Sequence, residues 1–285
     1  MNIEFKFENP HTYWNPLIVF KNYYNWIENN HNGHSLIYTN TIPSERGNPS
    51  GPSSPHIMTI RNLENRKYII VSYWDRAVEF TWEGNGWDTE NRVEIITSAG
   101  VHCDMEYTPF SYTTYSLEFE KYGSIDRKSW YDKSNTNLLF RGFLYAERKM
   151  MQTIRPDIFT DERKTMREYF DELNDSKISL SVNGAGEICN RDMEILCSGS
   201  VLLRPELTQK FHNPLIPNVH YVSVEKVPDS KTQLDLLLKK YEEIKDNFEF
   251  LNNIGNNGLK WFEQNGSMDA NVELLKKIIN LEKLN

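Results

Sequence analysis

The chain has 285 residues, enough for one large domain or two of modest size. Its 39% hydrophobic content, with 13% aromatic residues, supports buried cores and excludes a disordered chain. With 32 basic and 40 acidic residues the net charge is −8, which argues against broad binding to nucleic acid. Any phosphate group would therefore be bound by a few local basic residues.

Three cysteines without a CxxC pair make disulfides or a zinc site poor predictions and favour a reducing compartment. No apolar run reaches the roughly 18 residues that would predict a membrane span. The first residues do not show the basic region and apolar core of a secretory leader. We therefore expect a cytoplasmic protein without a membrane span.

Apolar spacing in the N-terminal half predicts a helix over residues 16–29 and strands over 35–38, 68–73 and 93–96. A loop rich in Pro, Gly and Ser occupies residues 41–55. Loops of this length in a compact chain are typically functional or mobile.

The second half alternates strands and helices, which is typical of a parallel α/β sheet that binds ligands at the carboxyl ends of its strands. The predicted strands cover residues 137–140, 178–182, 200–203 and 219–224. Helices are predicted over 145–153, over 163–173 with Thr160 as N-cap, and over 187–197. The last part predicts a helix over 230–248, an Asn- and Gly-rich break over 252–257, and helices over 259–264 and 268–284.

The change of pattern near the middle of the chain predicts two α/β domains. We place an N-terminal domain at residues 1–115, a second domain at 116–265, and a C-terminal helix at 266–285 that packs back across the two.

Two glycines, Gly184 and Gly186, lie between the strand at 178–182 and the helix at 187–197. Such a turn allows the backbone to approach a ligand closely and directs helix N–H groups at it. The GxG spacing lacks the third glycine of the dinucleotide fingerprint, and the chain has no P-loop. The turn by itself therefore indicates an anion site without naming the anion.

Three arginines are predicted at the same edge of the sheet. Arg141 follows a strand directly, Arg148 lies one to two turns further, and Arg191 lies in the first turns of the helix after Gly186. Guanidinium groups match phosphate oxygens in pairs, so together these residues predict a diphosphate site that needs no metal. The alternative is that Arg148 and Arg191 are solvated or pair with Glu147 and Glu194.

The stretch GEICNRDMEILCSGSVLLRPE, with LLFRG upstream, resembles the capsule-associated and protein O-glucosyltransferase family. It is also similar to glycosyltransferases of large DNA viruses, including the xylosyltransferase of chlorella viruses that builds capsid glycans. The resemblance covers mainly residues 137–225. It implies that Arg141 and Gly142 end the first donor-domain strand and that Arg191 contacts the diphosphate.

The same resemblance implies an inverting, metal-independent enzyme of two facing Rossmann-like domains, the GT-B arrangement. UDP-xylose or UDP-glucose would be the donor, and a glycan hydroxyl, on an oligosaccharide or a glycoprotein, the acceptor. A cytosolic, virus-like version would work in the host cytoplasm and contribute to viral glycan synthesis.

A catalytic aspartate after an N-terminal strand is likewise implied, and Asp75 stands at the end of the strand at 68–73. As a base it would deprotonate the acceptor hydroxyl, which attacks the anomeric carbon opposite the leaving UDP. Basic groups would stabilise the charge that develops on the diphosphate. The alternatives are that Asp75 caps a helix or pairs with Arg76, with Asp104 or Glu106 as the base.

Two glutamates complete the predicted donor site. Glu206 follows the strand at 200–203, where a carboxylate could accept hydrogen bonds from sugar hydroxyls or cap a helix over 207–211. Glu187 could bond the donor or cap its own helix. A non-catalytic glycan-binding protein with a degenerate transferase fold is the main rival hypothesis, and another phosphate-handling enzyme is the third.

Overall fold

The computed structural model describes residues 4–6, 15–30, 36–39, 57–73, 90–97, 107–111, 117–142, 144, 147–184 and 186–285. Over this part the chain is a mixed α/β protein with two compact units. Unit 1 comprises Met1–Leu117, Gln209–Asn213 and Met268–Asn285, and unit 2 comprises Glu118–Thr208 and Pro214–Ser267. The assignment of acceptor and donor roles to these units stays a prediction.

Six strands form one sheet in unit 1, in the order of the sequence. They are β1 (Glu4–Lys6), β2 (Leu36–Thr39), β3 (Ile57–Asn62), β4 (Tyr68–Ser72), β5 (Arg92–Thr97) and β6 (Thr108–Pro109). Strand β3 runs antiparallel to both β2 and β4, whereas the other neighbouring pairs are parallel. This mixed sheet differs from the wholly parallel sheet of a Rossmann-like domain.

The core of unit 1 joins apolar side chains of strands β2 to β5 to two helices, α1 (Asn15–Asn30) and α8 (Met268–Ile278). In α1, Val19, Phe20 and Tyr23 recur at helical spacing and are buried. A buried hydrogen bond from the hydroxyl of Tyr73, the residue after β4, to Asn271 Oδ1 of α8, 2.8 Å long, adds to this packing. The C-terminal helix is therefore part of this unit's core.

Five parallel strands organise unit 2. They are β7 (Phe140–Arg141), β8 (Phe159–Thr160), β9 (Ile178–Leu180), β10 (Val201–Pro205) and β11 (Val222–Val224). Strand β10 pairs with β9 and β11, and β7 pairs with β8. The Leu180 N–H donates to the Leu139 carbonyl at 3.2 Å, and a parallel bridge joins Asn135 to Ser176, so β7 lies beside β9. The two-stranded sheet β8-β7 and the three-stranded sheet β9-β10-β11 thus lie edge to edge, in the order β8-β7-β9-β10-β11.

Helices connect these strands as the alternating pattern predicts. Unit 2 contains α2 (Leu117–Ile125, whose first residue belongs to unit 1), α3 (Glu147–Ile154), α4 (Met166–Asp175), α5 (Asn190–Cys197), α6 (Ser230–Ile244) and α7 (Phe248–Trp261). Helices α3, α4 and α5 follow β7, β8 and β9 in turn. None of the described helices combines the length and the apolar character needed to cross a membrane.

The predicted N-cap of α4 is wrong by five residues. The N-cap is Thr165, whose side chain accepts from the Glu168 N–H, while the Glu168 carboxylate accepts from the Thr165 N–H at 2.9 Å. This reciprocal capping box fixes the helix start. Thr160, the residue predicted for this role, ends β8 instead.

The predicted break over residues 252–257 is also wrong, because these residues lie inside α7. Glycine lowers helix propensity by about 1 kcal/mol relative to alanine, but here it permits close packing. A Cβ on Gly258 would lie 2.6 Å from the His220 carbonyl oxygen, and one on Gly255 would lie 3.1 Å from that of Gly199. Tertiary contact with the segments that precede β10 and β11 therefore outweighs local propensity.

Lys133 joins the ends of two helices at the amino edge of the unit 2 sheet. Its buried ammonium donates to the Asn174 carbonyl at 2.8 Å, in the last turn of α4, and to the Ser198 carbonyl at 3.0 Å, just after α5. Cationic donors satisfy the free carbonyls of helix C-termini. Burial lowers the pKa of Lys133 to about 7 because desolvation penalises the charged form.

We expect Gly258→Ala to destabilise the protein by about 1–3 kcal/mol, because the new methyl overlaps a fixed carbonyl oxygen. The matched control is Asn257→Ala, one residue earlier on an exposed position of α7, which should be neutral or slightly stabilising. Urea unfolding measures both. Equal stability of the two variants would contradict the close-packing explanation.

Candidate functional site at the carboxyl ends of strands β7 and β9

The strand order of unit 2 creates a switch point between β7 and β9. The chain leaves β7 toward β8 on one side, and later leaves β9 toward β10 on the other. In open α/β sheets the loops diverge at such a point, and ligands bind in the crevice outside the carboxyl ends of these strands. The candidate site is therefore the edge formed by the ends of β7 and β9, with the residues that follow them.

Arg141 ends β7, but its guanidinium is committed to acidic groups. It forms a forked ion pair with Glu172 of α4, at 3.0 and 3.2 Å, and also bonds to the carbonyl of Glu162 at 2.8 Å. The next residue, Gly142, donates its N–H to the Thr160 carbonyl at 3.2 Å. Arg141 and Gly142 thus fasten β7 to β8 and α4.

Arg148 and Arg191 approach the ends of the same strands and lie over one aromatic ring. Their guanidinium carbons are 5.0 Å and 4.9 Å from the centre of the buried Phe140 ring. Each residue is only 6% exposed. Both arginines therefore meet at the switch point, and neither is a solvated helix-face residue.

Arg191 serves as a brace between the two diverging strands. It donates to the carbonyls of Leu180 at 2.8 Å, Arg141 at 2.8 Å and Leu139 at 3.1 Å. A fourth bond runs to the Tyr169 hydroxyl at 3.1 Å. Where neighbouring strands separate, carbonyls at their ends need donors from side chains, and a guanidinium has five.

Direct contact between Arg191 and a diphosphate stays a prediction, and most of the donors of this side chain are already used by the protein. Four of its donors already serve protein oxygens, and the side chain lies beneath the surface. No carboxylate of the described residues lies within ion-pair distance of it. The charge of Arg191 thus remains at the edge, while its hydrogen bonds are used to position the backbone.

The glycine turn is held from behind by two buried arginines. Arg148 donates to the carbonyls of Val182 and Asn183, both at 2.9 Å. Arg204 of β10 donates to the Glu187 carbonyl at 2.7 Å. Between these supports, the Gly184 N–H donates to the Gly186 carbonyl at 2.9 Å, which closes the turn.

Arg204 also forms the most deeply buried ion pair of the site, and the sequence analysis did not single it out. Its Nη1 lies 2.7 Å from Oδ1 of Asp192, and both side chains are 0% exposed. The other carboxylate oxygen of Asp192 accepts the Cys189 N–H at 2.7 Å, at the start of α5. One signal in the sequence could have indicated this pair: Arg204 stands inside an otherwise apolar strand, and a buried charge requires a partner.

Glu187 neither caps α5, whose N-cap is Cys189, nor points freely toward solvent. Its carboxylate accepts from the N–H and hydroxyl of Thr208, at 2.9 and 2.8 Å, and pairs with Lys226 at 2.6 Å. It therefore joins the loops that follow β10 and β11 to the glycine turn. Lys226, with 38% side-chain exposure, is an accessible cation of this edge that the sequence analysis missed.

Glu206 lies on the surface directly after β10, and its N–H donates to the Val224 carbonyl at 2.9 Å. The helix that it was suggested to cap, over residues 207–211, is not formed. Its carboxylate therefore remains an accessible acceptor at the carboxyl edge.

Two more carboxyl groups, those of Glu147 and Glu194, lie near Arg148 and Arg191 respectively. Burial raises the pKa of Glu147, the first residue of α3, against the opposing effect of Arg148, Lys226 and Arg204. Burial likewise raises the pKa of Glu194, which accepts a 2.5 Å hydrogen bond from the Tyr169 hydroxyl. Glu194 thus reaches Arg191 through this hydroxyl rather than by the direct pairing considered from the sequence.

The catalytic side of the predicted site lies outside the described residues. This holds for Asp75 and for the alternative bases Asp104 and Glu106. Among described residues, no group of three His, Cys, Asp or Glu side chains is arranged to hold a metal.

Comparison of the sequence with protein-family models and with curated proteins gave no match. Any functional assignment therefore rests on the site itself.

We expect Arg204→Met to lower the free energy of unfolding by about 3–5 kcal/mol, because it leaves the Asp192 carboxylate buried without a partner. Adding Asp192→Asn removes that charge while keeping an oxygen for the Cys189 N–H. The double variant should therefore lose less free energy of unfolding than Arg204→Met alone. Urea unfolding of both variants measures the difference.

Arg167→Met serves as the control, since this arginine is 54% exposed in its own ion pair and should change stability by less than about 1 kcal/mol. An equal loss in Arg204→Met and in the double variant would show that the buried charge is not the cause.

Proposed function

We propose that this chain is a metal-independent, inverting glycosyltransferase that moves glucose or xylose from a UDP-sugar to a glycan hydroxyl. The observation that carries the proposal is the buried Arg191 guanidinium at the switch point, which has no carboxylate within ion-pair distance among described residues. The one carboxylate that reaches it among described residues, Glu194, does so only through the Tyr169 hydroxyl, so an anionic ligand at this edge would add a closer charge partner.

In this proposal the donor diphosphate lies against the glycine turn. Arg148 supports the turn from beneath, and Arg148 and the nearby Arg191 add positive charge through a medium of low dielectric. The groups that contact the diphosphate directly are the main chain around Gly184 and Gly186 and the exposed ammonium of Lys226. Glu206 is placed to accept hydrogen bonds from sugar or ribose hydroxyls.

The acceptor side of the proposal is assigned to unit 1, in a GT-B arrangement with unit 2. Asp75 would take the proton of the acceptor hydroxyl as that oxygen attacks the anomeric carbon. The bond to UDP breaks on the opposite face, and the cations at the edge stabilise the departing diphosphate. This part is supported by the sequence pattern, strand followed by aspartate.

A specific observation favours a second candidate, a glycan-binding protein without transferase activity. The donors of Arg141 and Arg191 go mainly to protein oxygens, so the direct arginine clamp expected of a transferase is already occupied. Such a protein would bind glycans without binding or turning over any UDP-sugar.

We expect UDP to raise the unfolding temperature in the presence of EDTA, whereas uridine should not, because the edge recognises the diphosphate charge. Lys226→Gln should weaken UDP binding about threefold to tenfold by removing the accessible cation. Calorimetric titration measures the affinity, with Lys260→Gln on the exposed end of α7 as control. Glycan binding without any response to nucleoside diphosphates would favour the second candidate.

We expect Asp75→Asn to retain UDP binding while losing sugar transfer by at least about a hundredfold, since the base is removed and the donor site is unchanged. Release of UDP in the presence of a glycan acceptor measures transfer. Asp104→Asn and Glu106→Gln are the matched controls. Full turnover by Asp75→Asn, with loss in one of the others, would move the base to that residue.

A further inference from the structure

The loop that carries Lys226 lies between β11 and α6, over residues 225–229. It follows the carboxyl end of β11, so it belongs to the same edge of the sheet as the glycine turn. The Lys226 ammonium pairs with the Glu187 carboxylate at 2.6 Å, yet the side chain keeps 38% exposure. A lysine has a flexible four-carbon stem, so the place of its ammonium depends on how firmly its backbone is held.

Gln233, in the first turn of α6, holds this loop on both sides of Lys226. Its amide oxygen Oε1 accepts the Val227 N–H at 2.9 Å, and its amide nitrogen Nε2 donates to the Glu225 carbonyl at 3.0 Å. The side chain is buried. One amide thus binds the two residues that adjoin Lys226 in the chain.

Core packing alone does not account for an amide at this position. Leu234, the next residue, and Leu237, one turn further along α6, are buried apolar residues of the unit 2 core. A buried amide is costly unless its polar atoms are paired, whereas an apolar side chain of the same size carries no such cost. The polar atoms of Gln233 are therefore explained by the loop that they bind.

Two further features restrict the same loop. Pro228 fixes its own backbone φ angle. The carboxylate of Asp229, the N-cap of α6, accepts the Thr232 N–H at 2.7 Å. The backbone around Lys226 is thereby held before any ligand binds, which is the preorganisation that an anion site uses.

We propose that Gln233 is a positioning residue of the candidate site. It holds the backbone on both sides of Lys226, so that the ammonium stays beside Glu187, next to the glycine turn, and meets the diphosphate there. Gln233 itself contacts no ligand. The identity of the ligand rests on the proposed function, whereas the placing of the Lys226 ammonium beside Glu187 does not.

The test compares Gln233→Met, which keeps the length of the side chain and removes both hydrogen bonds, with Lys226→Gln and with the double variant. We expect Gln233→Met to weaken UDP binding about threefold to tenfold in calorimetric titration, because the ammonium is no longer held at the edge. The double variant should bind UDP within about twofold of Lys226→Gln, since both changes remove the same contact. Unchanged affinity in Gln233→Met, or multiplied losses in the double variant, would overturn the proposal.

Two controls separate positioning from a general loss of stability. Gln264→Met removes an exposed amide, and Ile244→Val trims a buried side chain at the far end of α6. Both should bind UDP within about twofold of the unaltered chain. Urea unfolding of each variant checks that it is folded under the conditions of the titration.

A second readout needs no nucleotide. Acetylation of Lys226 by acetic anhydride, followed by mass spectrometry, should be at least about twofold faster in Gln233→Met, because the ammonium leaves the Glu187 carboxylate. Lys260, exposed on α7, should react at the same rate in both chains. An unchanged rate at Lys226 would contradict the positioning role. If the unaltered chain does not bind UDP, the proposed function fails, and the acetylation rates alone decide whether Gln233 positions Lys226.

Discussion

The bonds from Arg191 to the carbonyls of Leu139, Arg141 and Leu180 are the interaction on which unit 2 depends. Strands β7 and β9 separate at their carboxyl ends, where the ladder of backbone hydrogen bonds stops. A planar guanidinium with five donors satisfies several carbonyls at once, which a lysine ammonium with three donors does less well. The position of α5, and thus of the glycine turn, follows from this brace.

The buried arginines hold the backbone of the candidate site through hydrogen bonds to its carbonyls, and their guanidinium groups do not line its surface. Arg148 holds the front of the glycine turn, and Arg204 holds its rear while neutralising Asp192. The turn is thereby rigid on its protein side and carries positive charge below it. Such preorganisation is what a diphosphate site requires, since the donors need no rearrangement when charge develops.

Glu187 extends the same network across three loops. Its carboxylate holds Thr208 after β10 and Lys226 after β11, while its carbonyl accepts from Arg204. The carboxyl edge of the sheet is therefore one connected hydrogen-bonded surface. Lys226, which belongs to this network, and Glu206, which follows β10, are both exposed at this edge.

Propensity and pattern were sufficient for much of the chain, but not where residues distant in sequence meet. The capping box at Thr165 and Glu168 is a local signal in the sequence, whereas Thr160, the predicted N-cap, has Arg163 rather than a carboxylate three residues later. The helix over Gly255 and Gly258 is different, because local propensity opposes it. Only the nearby carbonyls of Gly199 and His220 explain why a side chain is excluded there.

By itself the sequence determined the α/β class, the alternation of strands and helices in the second half, and the presence of three arginines near strand ends. These follow from short-range periodicity and from the rule that parallel strands share a carboxyl edge. The tertiary structure alone decided what those arginines do. A guanidinium binds whichever acceptors lie nearest, and carbonyls from strands about forty residues apart along the chain become neighbours of Arg191 only when the sheet has formed.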